Sequence, residues 1–288
     1  MNKNKTGILL AILASALYSI STPISKLLLE SMPSTILAGL LYLGAGAGMA
    51  IFGLVSKSIG KSNNEEKLTK DDMPYVVAMV VLDIAAPILL LLGLSYATAE
   101  NVSLLNNFEI VATAVIAFIF FGEKISKKLG IAIGLITLSS IILSFENLAA
   151  FEFSVGSILV LLAAVCWGLE NNCTRKLSSK DPLEIVVVKG LCSGAGSLII
   201  GLAIGERAER IDFILAALAL GFVAYGLSIF VYVYAQRSIG AAKTSAYYAV
   251  APFIGSLLSL IIFREMPQPI FFVALIIMGV GSYLASKE

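Results

Sequence analysis

The sequence contains no histidine and only three cysteines, and charged residues make up just 14% of its 288 positions. Without histidine, the side chain that most often serves as a general base or a metal ligand is missing. The cysteines are odd in number and form no CxxC pair, so the pattern supports neither a disulfide framework nor a zinc site. We therefore expect no metal and no cofactor.

Motifs for catalysis and nucleotide binding are missing as well. No HExxH, GxSxG or GxxxxGK[ST] occurs in the chain, so a membrane-embedded enzyme and an ATP-driven pump both lack their signatures. The net charge is only +1, which gives no basic surface of the kind that binds nucleic acid. We expect neither an enzyme nor a nucleic-acid partner.

Apolar residues are what the sequence has in abundance. Hydrophobic residues make up 58% of the chain and the mean hydropathy is +0.94, more apolar surface than a soluble domain of this length can bury. They form continuous runs of about 20 residues, the length that crosses about 30 Å of hydrocarbon, and not the alternating pattern of a β-barrel. We predict an all-α polytopic membrane protein with ten transmembrane helices, here called spans 1 to 10, at 7–28, 34–56, 74–95, 99–121, 128–146, 154–176, 183–204, 211–236, 241–263 and 268–285.

Lysine and arginine are distributed unevenly around these spans. If the N-terminus is cytoplasmic, fifteen of them lie on the inner side and four on the outer side, and Lys189 alone lies deep within a span. Such a bias sets the orientation of membrane proteins. We predict a multi-pass protein of the cytoplasmic membrane with both termini in the cytoplasm.

Similar residues recur at a nearly constant spacing in the two halves of the chain. We predict two five-span repeats, 1–149 and 150–288, within one transmembrane domain. An odd number of spans inverts the second repeat relative to the first, as in many secondary transporters. The matched residues are Tyr18 and Trp167, Lys26 and Arg175, Pro33 and Pro182, and the triplets Phe121-Gly122-Glu123 and Phe263-Arg264-Glu265.

In these features the sequence resembles the drug/metabolite transporter superfamily, EamA type. The resemblance rests on the inverted halves, on the aromatic and basic residues in spans 1 and 6, and on the glutamates that close spans 4 and 9. It covers essentially the whole chain and implies a transporter of small metabolites, often an exporter, with a central cavity lined by spans 1, 3, 4, 6, 8 and 9. Two positions depart from the family's pattern. The first half has Ile110 where the second half has Pro252, and it has Leu40 where the second half has the basic residue Lys189.

Polar side chains inside the spans are candidates for a solute pathway, because an unpaired charge in hydrocarbon costs several kcal/mol. In span 6, Trp167, Glu170 and Asn171 fall on one helical face, and this face either lines the pathway or clamps neighbouring helices. Tyrosine rings can line a cavity while their hydroxyl groups form hydrogen bonds. The predicted substrate-binding set is Trp167, Glu170, Asn171, Asn106, Lys189, Tyr225 and Tyr248.

Two further carboxylates lie deep in the predicted spans, Asp83 in span 3 and Glu109 in span 4. Without histidine, only a carboxyl group can carry a coupled proton, and burial favours the protonated form of such a group. We predict a proton-coupling role for Asp83 and Glu109. Glu170, Asp83 and Glu109 are all candidate partners for Lys189, and the acid that does not pair with it is the better proton carrier.

These residues favour a secondary transporter that moves a small polar metabolite by alternating access, with proton coupling as one option. An amino acid or a related compound would place its ammonium on a carboxylate and its carboxylate on Lys189. The alternative is a uniporter or exchanger of organic cations or amines, such as quaternary ammonium compounds, held by carboxylates and aromatic rings. Solute and membrane lipid are the expected partners. The glycine pairs Gly44-x-x-x-Gly48 in span 2 and Gly190-x-x-x-Gly194 in span 7 allow close helix contact and fit both a monomer and a homodimer.

The orientation can be tested with single cysteines in a chain whose native cysteines are replaced by serine. An impermeant maleimide should label Ser62→Cys only from the cytoplasmic side and Glu209→Cys only from the outside, because the loops alternate between the two faces. Labelling of Ser62→Cys from the outside would overturn the predicted orientation.

Overall fold

The computed structural model describes residues 3–58, 65–122, 125–147, 152–177, 179–239, 247–264 and 266–287. Almost all of these residues are helical. The short antiparallel strands Phe145–Asn147 and Glu152–Phe153 connect spans 5 and 6. The predicted all-α polytopic fold is confirmed.

The described part of the chain contains eight helices that are long and apolar enough to cross a membrane, and two shorter apolar helices follow them. They occur in the predicted order, and the long ones agree with the predicted spans to within a few residues. The predicted first residues of span 9, like Glu123 and Glu265, lie outside the described residues. The bounds of spans 1 to 8 are Lys5–Leu28, Ser34–Ser58, Lys70–Tyr96, Ala99–Phe120, Lys127–Ser144, Val155–Thr174, Pro182–Ala203 and Ile211–Tyr232, and spans 9 and 10 are Ala251–Phe263 and Pro269–Ala285.

Several spans are interrupted near their middle. Span 1 consists of the helices Lys3–Ser19 and Ser21–Leu28, and span 4 consists of Ala99–Leu105 and Phe108–Phe121. In span 8, a π-helical turn at Gly221–Leu227 separates the helices Ile211–Leu220 and Ser228–Ile239. In span 9, a turn at residues 249–250 precedes the helix that starts at Ala251.

Proline explains two of these interruptions. Pro23 in span 1 and Pro252 in span 9 have no backbone N–H, so the carbonyl groups four residues earlier, at Ser19 and Tyr248, lose their helical partner. Breaks of this kind inside a bundle are typical of transporters, whose binding sites are often built around discontinuous helices.

The spans pack in pairs that join the two halves of the chain. Span 2 packs on span 7, span 5 on span 10, span 3 on span 6, and span 1 on span 8. Exchanging each span for the one five positions away in sequence turns the 3–6 pair into the 8–1 pair and leaves the other two pairs unchanged. The pairing of spans is therefore symmetric under exchange of the two halves of the chain.

Spans 2 and 7 approach each other through glycine. A Cβ atom added to Gly46 would lie 2.5 Å from the backbone nitrogen of Leu191 and 2.8 Å from the carbonyl carbon of Gly190. A side chain at either glycine would therefore push the two backbones apart. The glycine pairs noted in the sequence are used here for packing within one chain.

Polar contacts also hold the chain at both ends of span 7. At one end, Glu206 accepts hydrogen bonds from the backbone N–H of Ile36 and the hydroxyl of Thr35, both at 3.2 Å. At the other end, Lys180 forms an ion pair with Glu66 at 2.5 Å, and this hydrogen bond holds the pKa of Lys180 above its ordinary value. Glu66 is 64% exposed, so this contact positions the loop and adds little stability.

The close approach of spans 2 and 7 makes a prediction about stability. Gly46→Ala should lower the free energy of unfolding by about 1–3 kcal/mol, the usual cost of overpacking, because its neighbours at 2.5–2.8 Å are backbone atoms. Thermal unfolding in detergent, followed by size-exclusion chromatography, measures the change.

Gly134→Ala in span 5 is the matched control, because nothing lies within 4 Å of a Cβ at that position. It should unfold at the same temperature as the native chain or slightly higher. Equal unfolding temperatures for the Gly46 and Gly134 variants would contradict the described packing.

Candidate functional site

A buried cluster of three charges lies where spans 3, 6 and 7 meet. The Nζ atom of Lys189 is 3.0 Å from Asp83 Oδ2 and 3.0 Å from Glu170 Oε1. The exposed fractions of the three side chains are 12%, 0% and 3%. Removing one member of such a buried ion pair strands the other charge, which usually costs about 3–5 kcal/mol. Lys189 thus pairs with two of its three candidate partners at once.

Tyr42 of span 2 adds a further layer to this cluster. Its hydroxyl donates a hydrogen bond to Asp83 Oδ1 at 3.0 Å and accepts one from Trp167 Nε1 at 3.5 Å. The hydroxyl of Thr174 donates to Glu170, one helical turn away. Sequence reasoning missed Tyr42, although a tyrosine in the middle of an otherwise apolar, glycine-rich span was a usable signal.

Glu109 belongs to a separate pair. Asn171 Nδ2 donates a hydrogen bond to Glu109 Oε1 at 2.6 Å and lies 3.3 Å from the hydroxyl oxygen of Thr113. Asn172, the next residue, bonds the carbonyl oxygens of Gly168 and Thr113 and so fixes span 6 against span 4. The structure brings the two predicted site residues Glu109 and Asn171 together. Their hydrogen bond joins spans 4 and 6, so it also acts as the polar clamp between helices that was the alternative to a pathway lining.

The break in span 4 carries polar groups of a different kind. Ser103, Asn106 and Asn107 are all at least 93% buried. In the part of the chain that the structure describes, Ser103 Oγ, Asn106 Oδ1 and Asn107 Nδ2 have no hydrogen-bond partner. A buried polar group without a partner costs about 1–3 kcal/mol, so these atoms favour a ligand that supplies one.

Both predicted tyrosines belong to an aromatic cluster. Tyr225 lies in the π-helical turn of span 8, accepts a hydrogen bond from Ser21 at 3.0 Å and packs on Tyr42 with ring centroids 5.4 Å apart. Tyr18 joins it to Tyr248, with centroid distances of 5.8 Å to each. The cluster links spans 1, 2, 8 and 9 beside the charges.

The centre of the bundle is tightly packed in this structure. A void of about 10 Å³ lies between Tyr42, Lys189 and Tyr225, which is room for one water molecule at most. A larger pocket of about 320 Å³ opens at the end of span 1, next to Lys26. The central charges are therefore paired with one another, and the cavity beside them has no room for a solute in this conformation.

A metal centre has no support in the described residues. They contain no group of three or more histidine, cysteine, aspartate or glutamate side chains placed to hold an ion, and the three cysteines are unpaired thiols. The chemistry that this arrangement offers is reversible binding through charges, amides and aromatic rings.

Two relatives are similar over most of their length. An uncharacterized transporter of Methanothermobacter thermautotrophicus is 26% identical over 275 residues, which cover 90% of this chain and 80% of that protein. The uncharacterized transporter YyaM of Bacillus subtilis is 25% identical over 224 residues, 75% of this chain and 72% of that protein. A solved crystal structure shares the fold at 16% identity, with a TM-score of 0.70 over 97% of this chain and 95% of that one.

The profile of the EamA-like transporter family matches two stretches, residues 5–145 and 154–287, and so covers nearly the whole chain. The match agrees with the resemblance drawn from the paired motifs of the two halves, and with the helices described above. It also assigns the chain to transporters and not to enzymes. This protein is a multi-pass membrane transporter that belongs to the EamA-like transporter family.

Proposed function

We propose that this transporter is a secondary active carrier that moves a small polar metabolite, an amino acid or a related compound, across the cytoplasmic membrane in the export direction. The observation that carries the proposal is the buried cluster of Lys189 with Asp83 and Glu170. A static helix bundle gains little from burying three charges, because apolar residues of similar size stabilise it as well or better. A carrier needs charges that can exchange one partner for another.

A zwitterion suits this exchange. Its carboxylate can replace one of the two acids on Lys189, and its ammonium can pair with the acid that has been displaced. The number of ion pairs then rises while the net charge of the site stays the same. The unpartnered amide oxygen of Asn106 lies in the break of span 4 and offers a further acceptor for a solute.

An organic cation or amine is the second candidate, and a separate observation favours it. Among the predicted site residues, the three acids Asp83, Glu109 and Glu170 stand against the single ammonium of Lys189. The surplus of negative charge lies beside the aromatic cluster, and carboxylates with aromatic rings are the usual means of holding an organic cation.

For proton coupling, the geometry favours Glu109 over Asp83. Asp83 and Glu170 are both engaged by Lys189, so protonation of either acid would break an ion pair. Glu109 is held by the neutral amide of Asn171 and can exchange a proton without such a loss. In this proposal Glu109 carries the proton and Glu170 serves the solute.

Counterflow into proteoliposomes tests the carrier and its binding residues. The solute is first identified by thermal stabilisation of the purified protein with amino acids, amines and nucleosides. Asn106→Ala should then raise the KM for that solute about two- to tenfold, the loss of one hydrogen bond, with little loss of folded protein.

Asn101→Ala is the matched control, because it removes the same side chain from the same span at a position that is only partly buried. It should leave the KM unchanged. Flux that neither saturates nor shows counterflow would identify a channel, and an unchanged KM for Asn106→Ala would remove the span 4 break from the pathway.

The coupling proposal is tested by transport with and without an imposed pH gradient. Glu109→Gln should abolish the effect of the gradient and leave solute exchange intact. Glu170→Gln should instead weaken solute binding, because it removes a carboxylate that would pair with the ammonium of the solute. A native protein that is indifferent to the gradient would rule out proton coupling and leave a uniporter or an exchanger.

A further inference from the structure

A second site lies at the end of the bundle opposite the N-terminus, where spans 1, 3 and 9 end and span 4 begins. It is a pocket of about 320 Å³, within the range of small-molecule sites. Its lining includes Lys26, Ser95, Tyr96, Thr98, Glu100 and Phe263, and none of the central residues described above. The pocket is therefore separate from the central site.

The carboxylate of Glu100 is the feature that points to a ligand. Glu100 is only 4% exposed and lines this pocket. Nevertheless, its carboxylate accepts no hydrogen bond and forms no ion pair within the described residues, and only its backbone carbonyl is used, by Ser256 at 3.2 Å. The carboxylate thus lines the pocket without a protein donor, so a cation that enters the pocket finds a free acceptor.

Lys26 does not neutralise this carboxylate, although it lines the same pocket. Its Nζ donates hydrogen bonds to the backbone carbonyl oxygens of Leu94 at 2.5 Å and Ala97 at 2.7 Å. The ammonium thus holds the end of span 3 in place. These neutral carbonyl partners leave the positive charge of Lys26 in place, so the pocket lining carries one charge of each sign. Of the two charged groups, the carboxylate of Glu100 is the one that can accept a hydrogen bond, and a ligand ammonium would supply it.

We propose that this pocket binds the protonated amine of a small organic ligand, with Glu100 as the acceptor and the rings of Tyr96 and Phe263 beside it. The rings suit a cation, because the faces of aromatic rings attract positive charge. The role of the pocket as an entrance to the transport pathway rests on the proposed function. Binding of the amine does not rest on it and can be measured without transport.

Isothermal titration of the detergent-purified protein with benzylamine, benzyl alcohol and benzoate tests the charge requirement, because the three probes share one ring. Benzylamine should bind more tightly than the other two. Glu100→Gln should weaken benzylamine binding by about tenfold or more, as expected for losing a hydrogen bond to a charged group. Asp212→Asn removes a carboxylate from the exposed start of span 8 and should leave the binding unchanged.

Equal binding of benzylamine to the native protein and to Glu100→Gln would overturn the proposal, and so would equal affinity for benzyl alcohol. Asn106→Ala keeps the two proposals apart, because it should impair transport and leave benzylamine binding intact. Unchanged transport by Asn106→Ala would contradict the central site, and benzylamine binding that still depends on Glu100 would leave the pocket standing in that case.

A chemical readout covers the case in which Glu100→Gln folds poorly. Thr98→Cys, in a chain with its native cysteines replaced by serine, places an exposed thiol at the pocket. A cationic methanethiosulfonate should modify this thiol severalfold faster than an anionic one, and benzylamine should slow the reaction. This variant keeps Glu100. Equal rates for the two reagents, without protection by benzylamine, would therefore contradict the proposal.

The ammonium could come from a solute or from the headgroup of a lipid. Detergent micelles contain no amine headgroup, so binding there reports the soluble amine alone. If nanodiscs with phosphatidylethanolamine lose benzylamine binding and nanodiscs of phosphatidylglycerol keep it, the lipid headgroup occupies the same ammonium site. Retained binding in both would assign the pocket to soluble amines.

Discussion

The interaction on which the centre of this protein depends is the pairing of one ammonium with two carboxylates away from water. Lys189, Asp83 and Glu170 come from three different spans, and each would be too costly to bury alone. Together they join spans 3, 6 and 7, and Tyr42 connects them to span 2. The contact of Gly46 with Gly190 brings spans 2 and 7 close enough for this arrangement.

The polar groups of the core fall into two classes. The Lys189 cluster and the pair of Glu109 with Asn171 have charged or polar partners within the protein and hold neighbouring spans together. The groups at the break of span 4, and Glu100 at the end pocket, have no partner in the described structure. Groups of the first class would have to give up a partner before they could bind a solute, whereas groups of the second class would lose no contact.

The spans also fall into two groups, one continuous and tightly packed and the other interrupted. Spans 2 and 7 are packed backbone to backbone, and Glu206 ties the end of span 7 to the start of span 2, so they form a rigid pair. Spans 1, 4, 8 and 9 are interrupted, and the aromatic cluster lies among them. Interrupted helices bend more easily at their breaks than continuous ones, so a change of conformation would be expected in these spans.

The sequence alone determined the all-α membrane fold, the order of the ten spans, the family and the polar residues worth considering. These properties are local, because the length of an apolar run and the residue types within it decide them. Only the tertiary structure decided that Lys189 holds two acids, that Glu109 pairs with Asn171 62 positions away, and that Tyr42 completes the cluster. It alone showed that the carboxylate of Glu100 has no partner among the described residues, because such contacts depend on how distant spans pack, and no local pattern encodes that.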